Sequence, residues 1–109
     1  MRQAARGEVW LVDLGMAAKV RPALVLSVPA GDADRSLVTL VPHTTALRQS
    51  RFEAVVPVPF LKPGAFDAQG IVTVPSVRLI RPLGALLGGQ LELVEKAVIR
   101  WLGFEESGA

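Results

Sequence analysis

Two polar residues flank segments that the sequence predicts to be buried strands. Arg21 directly precedes the apolar run Pro22–Val28, and Thr44 follows the third apolar segment of the chain. A guanidinium has a permanent charge and a planar fork that matches phosphate oxygens, and a threonine hydroxyl can donate to the same oxygens. The pair could therefore bind a phosphate and stabilise charge developing on it. Position alone leaves simpler roles open, namely a salt bridge of Arg21 with Asp13 or Glu53, and a turn closed or a helix capped by Thr44.

His43, the only histidine in the chain, is the candidate for proton transfer at neutral pH. The reference pKa of an imidazole, about 6.5, allows it to gain or lose a proton there. Alternation along a strand would instead turn His43 away from Thr44 and into the core, and this packing role is favoured. The other possible catalytic or substrate-binding residues are Thr45, Lys19, Glu53 and Arg78.

The residue types exclude several kinds of active site. One histidine and no cysteine rule out a multi-histidine or thiolate metal site, and the carboxylates lack the spacing of metal ligands. The glycines of 84–89 do not form a GxxxxGK(S/T) phosphate loop, and no G-x-S-x-G nucleophile elbow occurs. We therefore expect neither a metal nor a cofactor.

Short apolar segments separated by glycine and proline predict a β-rich fold. The second segment is apolar almost throughout, as in a strand buried on both faces. Pro42 is expected either to end the third strand or to move it to an edge, and Pro57 indicates an edge or a bulge in the fourth. The predicted strands are Glu8–Leu14, Pro22–Val28, Ser36–Val41, Phe52–Val58, Gly70–Val74, Val77–Ile80 (or, in place of the last two, one strand bent at Pro75) and Gly84–Leu87.

Gln90–Leu102 has the period of an amphipathic helix. Glu92 and Lys96 form an i, i+4 pair, and Gly103 is expected at the C-terminal end of the helix. Gly88 and Gly89 are expected to break the chain before it. The predicted apolar stripe consists of Leu91, Val94, Val98, Trp101 and Leu102. The elements predict a single domain over residues 1–109, mainly β, with a strongly bent and partly closed antiparallel sheet and a C-terminal helix.

Hydrophobic content and charge indicate the kinds of partner to expect. Half of the 109 residues are hydrophobic, with a mean hydropathy of +0.40. No run approaches the roughly 18 apolar residues of a membrane span, and residues 1–7 do not resemble a signal peptide. The surplus apolar surface fits either a subunit interface or a rich core. Residues 1–90 hold ten Lys and Arg against six Asp and Glu, a mildly basic balance that suits a polyanion.

With these features, the chain resembles the MazF/PemK family of toxin endoribonucleases. The matching segments are, in order, Gly7–Asp13 (GEVWLVD), Arg21–Ser27 (RPALVLS), Val41–Thr45 (VPHTT) and Phe52-Glu53. The C-terminal helix follows where the family has one, so the resemblance covers about residues 6 to 103.

The resemblance implies an SH3-like barrel with a C-terminal helix, which forms a cytoplasmic homodimer and binds no membrane. It implies metal-independent cleavage of single-stranded RNA within a short motif, leaving 2′,3′-cyclic phosphate and 5′-OH ends and inhibiting translation and growth. It also implies a MazE-like antitoxin whose acidic segment competes for the RNA groove, and a toxin–antitoxin complex that binds DNA. The family's catalytic arginine and threonine fall on Arg21 and Thr44.

Two departures from the family pattern affect the mechanism. The loop between Asp13 and Arg21 is short and lacks the Gly-x-Glu-Gln motif of many members. Pro75 occupies the position where some members have an acidic residue, which leaves the general acid and base unidentified. The alternatives are a non-catalytic nucleic-acid-binding module and a gyrase-poisoning module on the same fold.

Overall fold

Seven short β-strands and one C-terminal α-helix make up the computed structural model, which describes residues 3–15 and 19–104. All strand pairings are antiparallel. The sheet order is β4-β5-β3-β2-β1-β7, with β6 paired to β3, and the sheet is not closed. The elements are β1 Glu8–Asp13, β2 Val20–Val25, β3 Leu37–Thr44, β4 Glu53–Ala54, β5 Ala65–Asp67, β6 Val72–Pro75, β7 Leu79–Ala85 and α1 Gly88–Leu102. The prediction of a mainly β fold with a C-terminal helix is confirmed.

The central strands are buried on both faces. Ala23, Leu24 and Val25 of β2 all have no exposed surface. Leu24 packs into one core with Val94 of α1, whereas Ala23 and Val25 belong to a second core on the other face of the sheet. Because successive side chains point to opposite faces, such a strand must be apolar at every position, as the sequence of β2 predicted.

Both roles expected for Pro42 are wrong, because β3 continues to Thr44 and lies between β5 and β2 rather than at an edge. On one side, β3 pairs with β6 up to Leu40 and with β5 from His43 onward. Pro42 lies in the interval between these two partners, where the ladder on that side is already interrupted. A residue without a backbone N–H is tolerated at such a place. Because β3 continues past Pro42, His43 and Thr44 lie on a strand rather than on a loop.

Several predicted strand boundaries also need correction. β2 begins at Val20, so Arg21 lies within the strand, and the fourth predicted strand shrinks to Glu53–Ala54 because prolines follow it. β5 was not predicted at all. The segment around Pro75 forms two strands, β6 and β7, joined by the 3-10 turn Ser76–Arg78. The last predicted strand, 84–87, is the end of β7, which stops at Ala85.

The middle of α1 packs on the sheet. Val94, Ala97 and Val98 are buried, but Trp101 and Leu102, predicted to continue the apolar stripe into the core, are 41% and 45% exposed. Gly88 and Gly89 form the first turn of the helix instead of breaking the chain before it. Two further predictions are confirmed: Gly103 ends the helix in a left-handed conformation (φ 77°), and Glu92 pairs with Lys96 at 3.4 Å. Among the residues that the structure describes, none of the helices has the length and hydrophobicity that crossing a membrane requires.

Candidate active site

Arg21 lies on β2, the strand at the middle of the sheet. Its backbone pairs with Val12 of β1, and its side chain is exposed. The hairpin that precedes it is closed by two backbone hydrogen bonds, from Leu14 N–H to Lys19 O at 2.8 Å and from Lys19 N–H to Gly15 O at 3.0 Å. The side chain of Arg21 thus reaches solvent from a regular strand, and the strand fixes its direction. A cation that must be held in one position needs rigid support of this kind.

Thr44 ends the neighbouring strand, β3. It pairs with Ala65 of β5, and its half-buried hydroxyl accepts the Ala46 N–H at 3.0 Å. This is the turn-closing role that the sequence left open. The bond uses a lone pair of the oxygen, so the hydroxyl proton remains available for donation to a ligand.

Arg21 and Thr44 line one groove of about 360 Å³, the Asp67 groove. The register between β2 and β3 pairs Ala23 with Pro42, and its extension by two residues brings Arg21 opposite Thr44. The lining residues are Leu14, Arg21, Pro42, His43, Thr44, Asp67, Gly70 and Val72. The two residues that were predicted to act together therefore lie at one site.

A second groove of about 440 Å³, the basic groove, adjoins the first through Arg21 and His43, which line both. Its side chains include four cations, and none of its described lining residues is acidic, so it favours an anionic ligand. The lining residues are Leu11, Lys19, Val20, Arg21, Pro22, His43, Thr45, Phe60, Leu61, Lys62, Arg81 and Leu83.

His43 is a buried residue at the junction of the two grooves. It is 5% exposed and packs edge-on against Phe66, with ring centroids 5.0 Å apart and an interplanar angle of 71°. A Cβ on Gly64 would come within 2.2 Å of Thr44 O and 2.7 Å of His43 Cε1, so this position requires glycine. Burial lowers the pKa of the His43 imidazole below its ordinary value, which keeps the ring neutral at pH 7.

The lowered pKa of His43 predicts that the protein loses stability in mild acid. The unfolded chain, with an imidazole pKa of about 6.5, binds a proton more readily than the folded protein, so the free energy of unfolding falls as pH drops below that value. We expect the decrease between pH 7.5 and 5.5 to be smaller in His43→Gln than in wild type, as measured by urea denaturation at both pH values. Equal decreases in the two proteins would contradict the assignment.

The remaining predicted candidates divide between the grooves and the scaffold. Lys19 and Thr45 line the basic groove. Glu53 lines neither groove, and its carboxylate accepts the N–H groups of Arg48 and Ser50 at 3.1 Å, so it fixes the loop before β4. Arg78 forms an exposed ion pair with Asp13, in which Nη1 of the arginine lies 3.7 Å from Oδ2 of the aspartate. Arg78 is not among the residues that line either groove.

The structure also brings groups to the grooves that the sequence did not single out. Asp67 of β5 is the one carboxylate among the residues that line either groove. Lys62 and Arg81 add charge to the basic groove, where Phe60 packs so closely on Gly84 that a Cβ there would come within 2.5 Å of its ring. In the sequence, Lys62 is marked only by its place in the Pro-rich turn and Arg81 only by its place beside Pro82. The pairing of the strands is what shows that the two side chains line the same groove.

Pro75 lies far from Thr44. It pairs with Leu37, the first residue of β3, whereas Thr44 is the last. Seven residues of extended strand separate the two ends by roughly 23 Å. An acidic group at position 75 of this chain would thus not line the Asp67 groove.

The open antiparallel sheet, its C-terminal helix and the adjoining grooves define a small β protein with a cationic cleft suited to a phosphate-bearing ligand. The family profile described as "PemK-like, MazF-like toxin of type II toxin-antitoxin system" matches residues 5–102. The chain belongs to this family.

Solved structures of similar proteins agree with the family assignment. The toxin MazF-mt6 of Mycobacterium tuberculosis is 26% identical, with a TM-score of 0.78 over 91% of this chain and 99% of that one. MazF of Deinococcus radiodurans is 25% identical, with a TM-score of 0.79 over 94% and 99%. An endoribonuclease solved with its cognate antitoxin, from Mycobacterial species, is 24% identical and has a TM-score of 0.80 over 94% and 98%, which shows a shared fold.

Proposed function

We propose that this chain is a toxin endoribonuclease that cuts single-stranded RNA within a short sequence motif, without a metal ion, and so inhibits translation and growth from the cytoplasm. The observation that carries the proposal is that Arg21 and Thr44 line the same groove. Membership of the MazF-like toxin family supports it. So does the likeness to a protein described as an endoribonuclease.

The proposed reaction uses the 2′-OH of the RNA as the nucleophile. Its oxygen attacks the adjacent phosphorus, and the bond from phosphorus to the 5′-oxygen breaks. Negative charge accumulates on the phosphate oxygens during this step. The planar guanidinium of Arg21 can form two parallel hydrogen bonds to those oxygens, and the Thr44 hydroxyl can donate a third. The products are a 2′,3′-cyclic phosphate and a 5′-OH.

The basic groove supplies a path for the flanking strand. Lys19, Lys62 and Arg81 lie along it beyond Arg21, at positions where they can neutralise neighbouring phosphates. Binding of this kind weakens as salt rises, because each neutralised phosphate releases counterions.

The direct test is to incubate the purified protein with a long single-stranded RNA in EDTA and to map the ends. We expect cleavage at a recurring short motif, with cyclic phosphate and 5′-OH termini. A matched oligonucleotide with one 2′-deoxy residue at the cut position should resist cleavage there. Ends that carry 5′-phosphate, or activity that needs Mg²⁺, would contradict the mechanism, and RNA binding without turnover would favour a non-catalytic binding module.

The proposed partner is a MazE-like antitoxin with an acidic, extended segment that occupies the basic groove. A related endoribonuclease is described in complex with its cognate antitoxin, and four cations line the groove here. We expect such an antitoxin to displace a fluorescent RNA from the toxin in a titration. Simultaneous binding of both at undiminished affinity would exclude a shared groove.

We further propose that the toxin is a homodimer, the commonest closed assembly. Apolar side chains at the C-terminal end of α1 are exposed, among them Ile99 at 40%, Trp101 at 41% and Phe104 at 74%. Exposed large apolar side chains concentrated at one end of a helix can mark an interaction site. Light scattering at micromolar concentration should give twice the chain mass, and a monomeric mass would refute the assembly.

A further inference from the structure

We propose that Asp67 is the general base of the cleavage reaction. The inference rests on the proposed function, since it names the group that accepts the 2′-OH proton. The sequence segments that resemble the family do not include Asp67. Its place follows from the pairing of β5, a strand of only three residues.

The backbone of β5 positions Asp67 in the lining of the groove. β5 pairs with β3 through His43–Phe66 and Thr44–Ala65, and with β4 through Glu53–Asp67. Asp67 is therefore carried on the strand adjacent to the one that carries Thr44. It lines the Asp67 groove together with Arg21 and Thr44.

The Asp67 carboxylate is oriented but keeps acceptor capacity. Its Oδ1 accepts the Gln69 N–H at 3.1 Å, which caps the 3-10 turn Ala68–Gly70 and fixes the side chain. Its Oδ2 lies beside Gly70, where a Cβ would approach within 3.2 Å. Glycine at position 70 thus leaves room around Oδ2, the oxygen that does not cap the turn. Because a carboxylate has about four lone-pair sites in total, Asp67 can still accept a proton.

The other polar groups of the groove are poorer bases. A guanidinium and an aliphatic hydroxyl are both poor proton acceptors, so neither Arg21 nor Thr44 suits this role. His43 is neutral and could accept a proton, but it is almost enclosed by its packing on Phe66. Of the charged and titratable groups around Asp67, Arg21 from β2 and His43 from β3 line the same groove, and Glu53 from β4 is its cross-strand neighbour.

The proposed step conserves atoms and charge. Asp67 takes the proton of the 2′-OH as the 2′-oxygen bonds to phosphorus, while Arg21 and Thr44 hold the phosphate oxygens. The bond to the 5′-oxygen breaks with its electron pair, and the 5′-oxygen takes a proton from water. The hydroxide so formed combines with the proton that Asp67 then releases, and the carboxylate is restored.

The test compares Asp67→Asn with wild type and with Asp34→Asn. The amide keeps an oxygen that can accept the Gln69 N–H, so the cap and the fold should persist, whereas a base is lost. Asp34 is a matched control because it also accepts a local N–H, from Gly31 at 2.8 Å, and is not among the residues lining either groove. General acid–base catalysis is typically worth about 10²- to 10⁴-fold, so kcat of Asp67→Asn should fall by at least about a hundredfold with little change in KM. Asp34→Asn should retain the wild-type rate.

Two further measurements separate a base from a structural residue. The acidic limb of the kcat against pH profile should disappear in Asp67→Asn, and added formate should partly restore cleavage by Asp67→Ala, because it supplies a carboxylate to the vacated space. Wild-type kinetics in Asp67→Asn, or a changed cleavage motif with an unchanged pH profile, would overturn the assignment while leaving the proposed function intact. A wild-type protein that cuts no RNA would instead refute the proposed function, and the inference with it.

Discussion

Arg21→Ala is expected to reduce the rate of RNA cleavage by about 10²- to 10³-fold while the melting temperature changes little. Loss of one positioned donor to a developing oxyanion typically costs this much, about 2.7 to 4 kcal/mol of transition-state stabilisation. Arg21 is exposed on β2, whereas the residues behind it, Ala23 to Val25, form the core. Truncation of an exposed side chain opens no cavity, and such changes usually alter stability by less than about 0.5 kcal/mol. Single-turnover cleavage and thermal melting check both parts.

Arg21→Lys and Arg35→Ala are the controls for this prediction. The lysine keeps the charge but cannot form the bidentate fork, so it should restore only part of the rate. Arg35 is an exposed arginine in the loop between β2 and β3 and lines neither groove, so its loss should leave cleavage unchanged. If Arg21→Ala unfolds, the residue is structural. If it remains folded and cuts at the wild-type rate, the catalytic role taken from the family resemblance is wrong.

The sequence predicted those elements whose signal is local. The two cores on either face of the sheet each receive alternate residues of β2, so the buried part of the strand is apolar at every position. Such an unbroken apolar run is visible in the sequence. Gly103 was recognised because a left-handed residue at a helix end favours glycine. Short motifs in the sequence contain Arg21 and Thr44, and the extended register of β2 with β3 explains why two residues so far apart in the chain meet in one groove.

The sequence could not predict features that depend on pairing between distant segments. β5 is three residues long and follows a Pro-rich turn, so it has no detectable period; pairing with β3 and β4 alone makes it a strand. Asp67 reaches the groove only through those pairings. The place of Pro42 within β3 depends on pairing in the same way, because a residue without an N–H is tolerated where the partner strand changes from β6 to β5. The position of residues 16–18, in the shortened loop, lies outside the described residues.

Thr44→Val is expected to lower cleavage by about 10²-fold, the lower end of the effect of one lost oxyanion donor. Valine keeps the β-branched shape, so the strand and the packing around Ala65 should be preserved. It removes the hydroxyl that accepts the Ala46 N–H and faces the groove. Because that N–H is at an exposed turn, water can replace the lost partner, and the cost in stability should be small.

Thr44→Ser distinguishes the two functions of the hydroxyl. Serine restores both the acceptor for Ala46 and a donor for the phosphate, so it should recover most of the rate that Thr44→Val loses. If the hydroxyl acted only by closing the turn, Thr44→Val would change the melting temperature and KM together, with kcat preserved. A fall in kcat at constant KM, reversed by serine, is the expected pattern, because a donor that acts on the developing phosphate charge contributes mainly in the transition state.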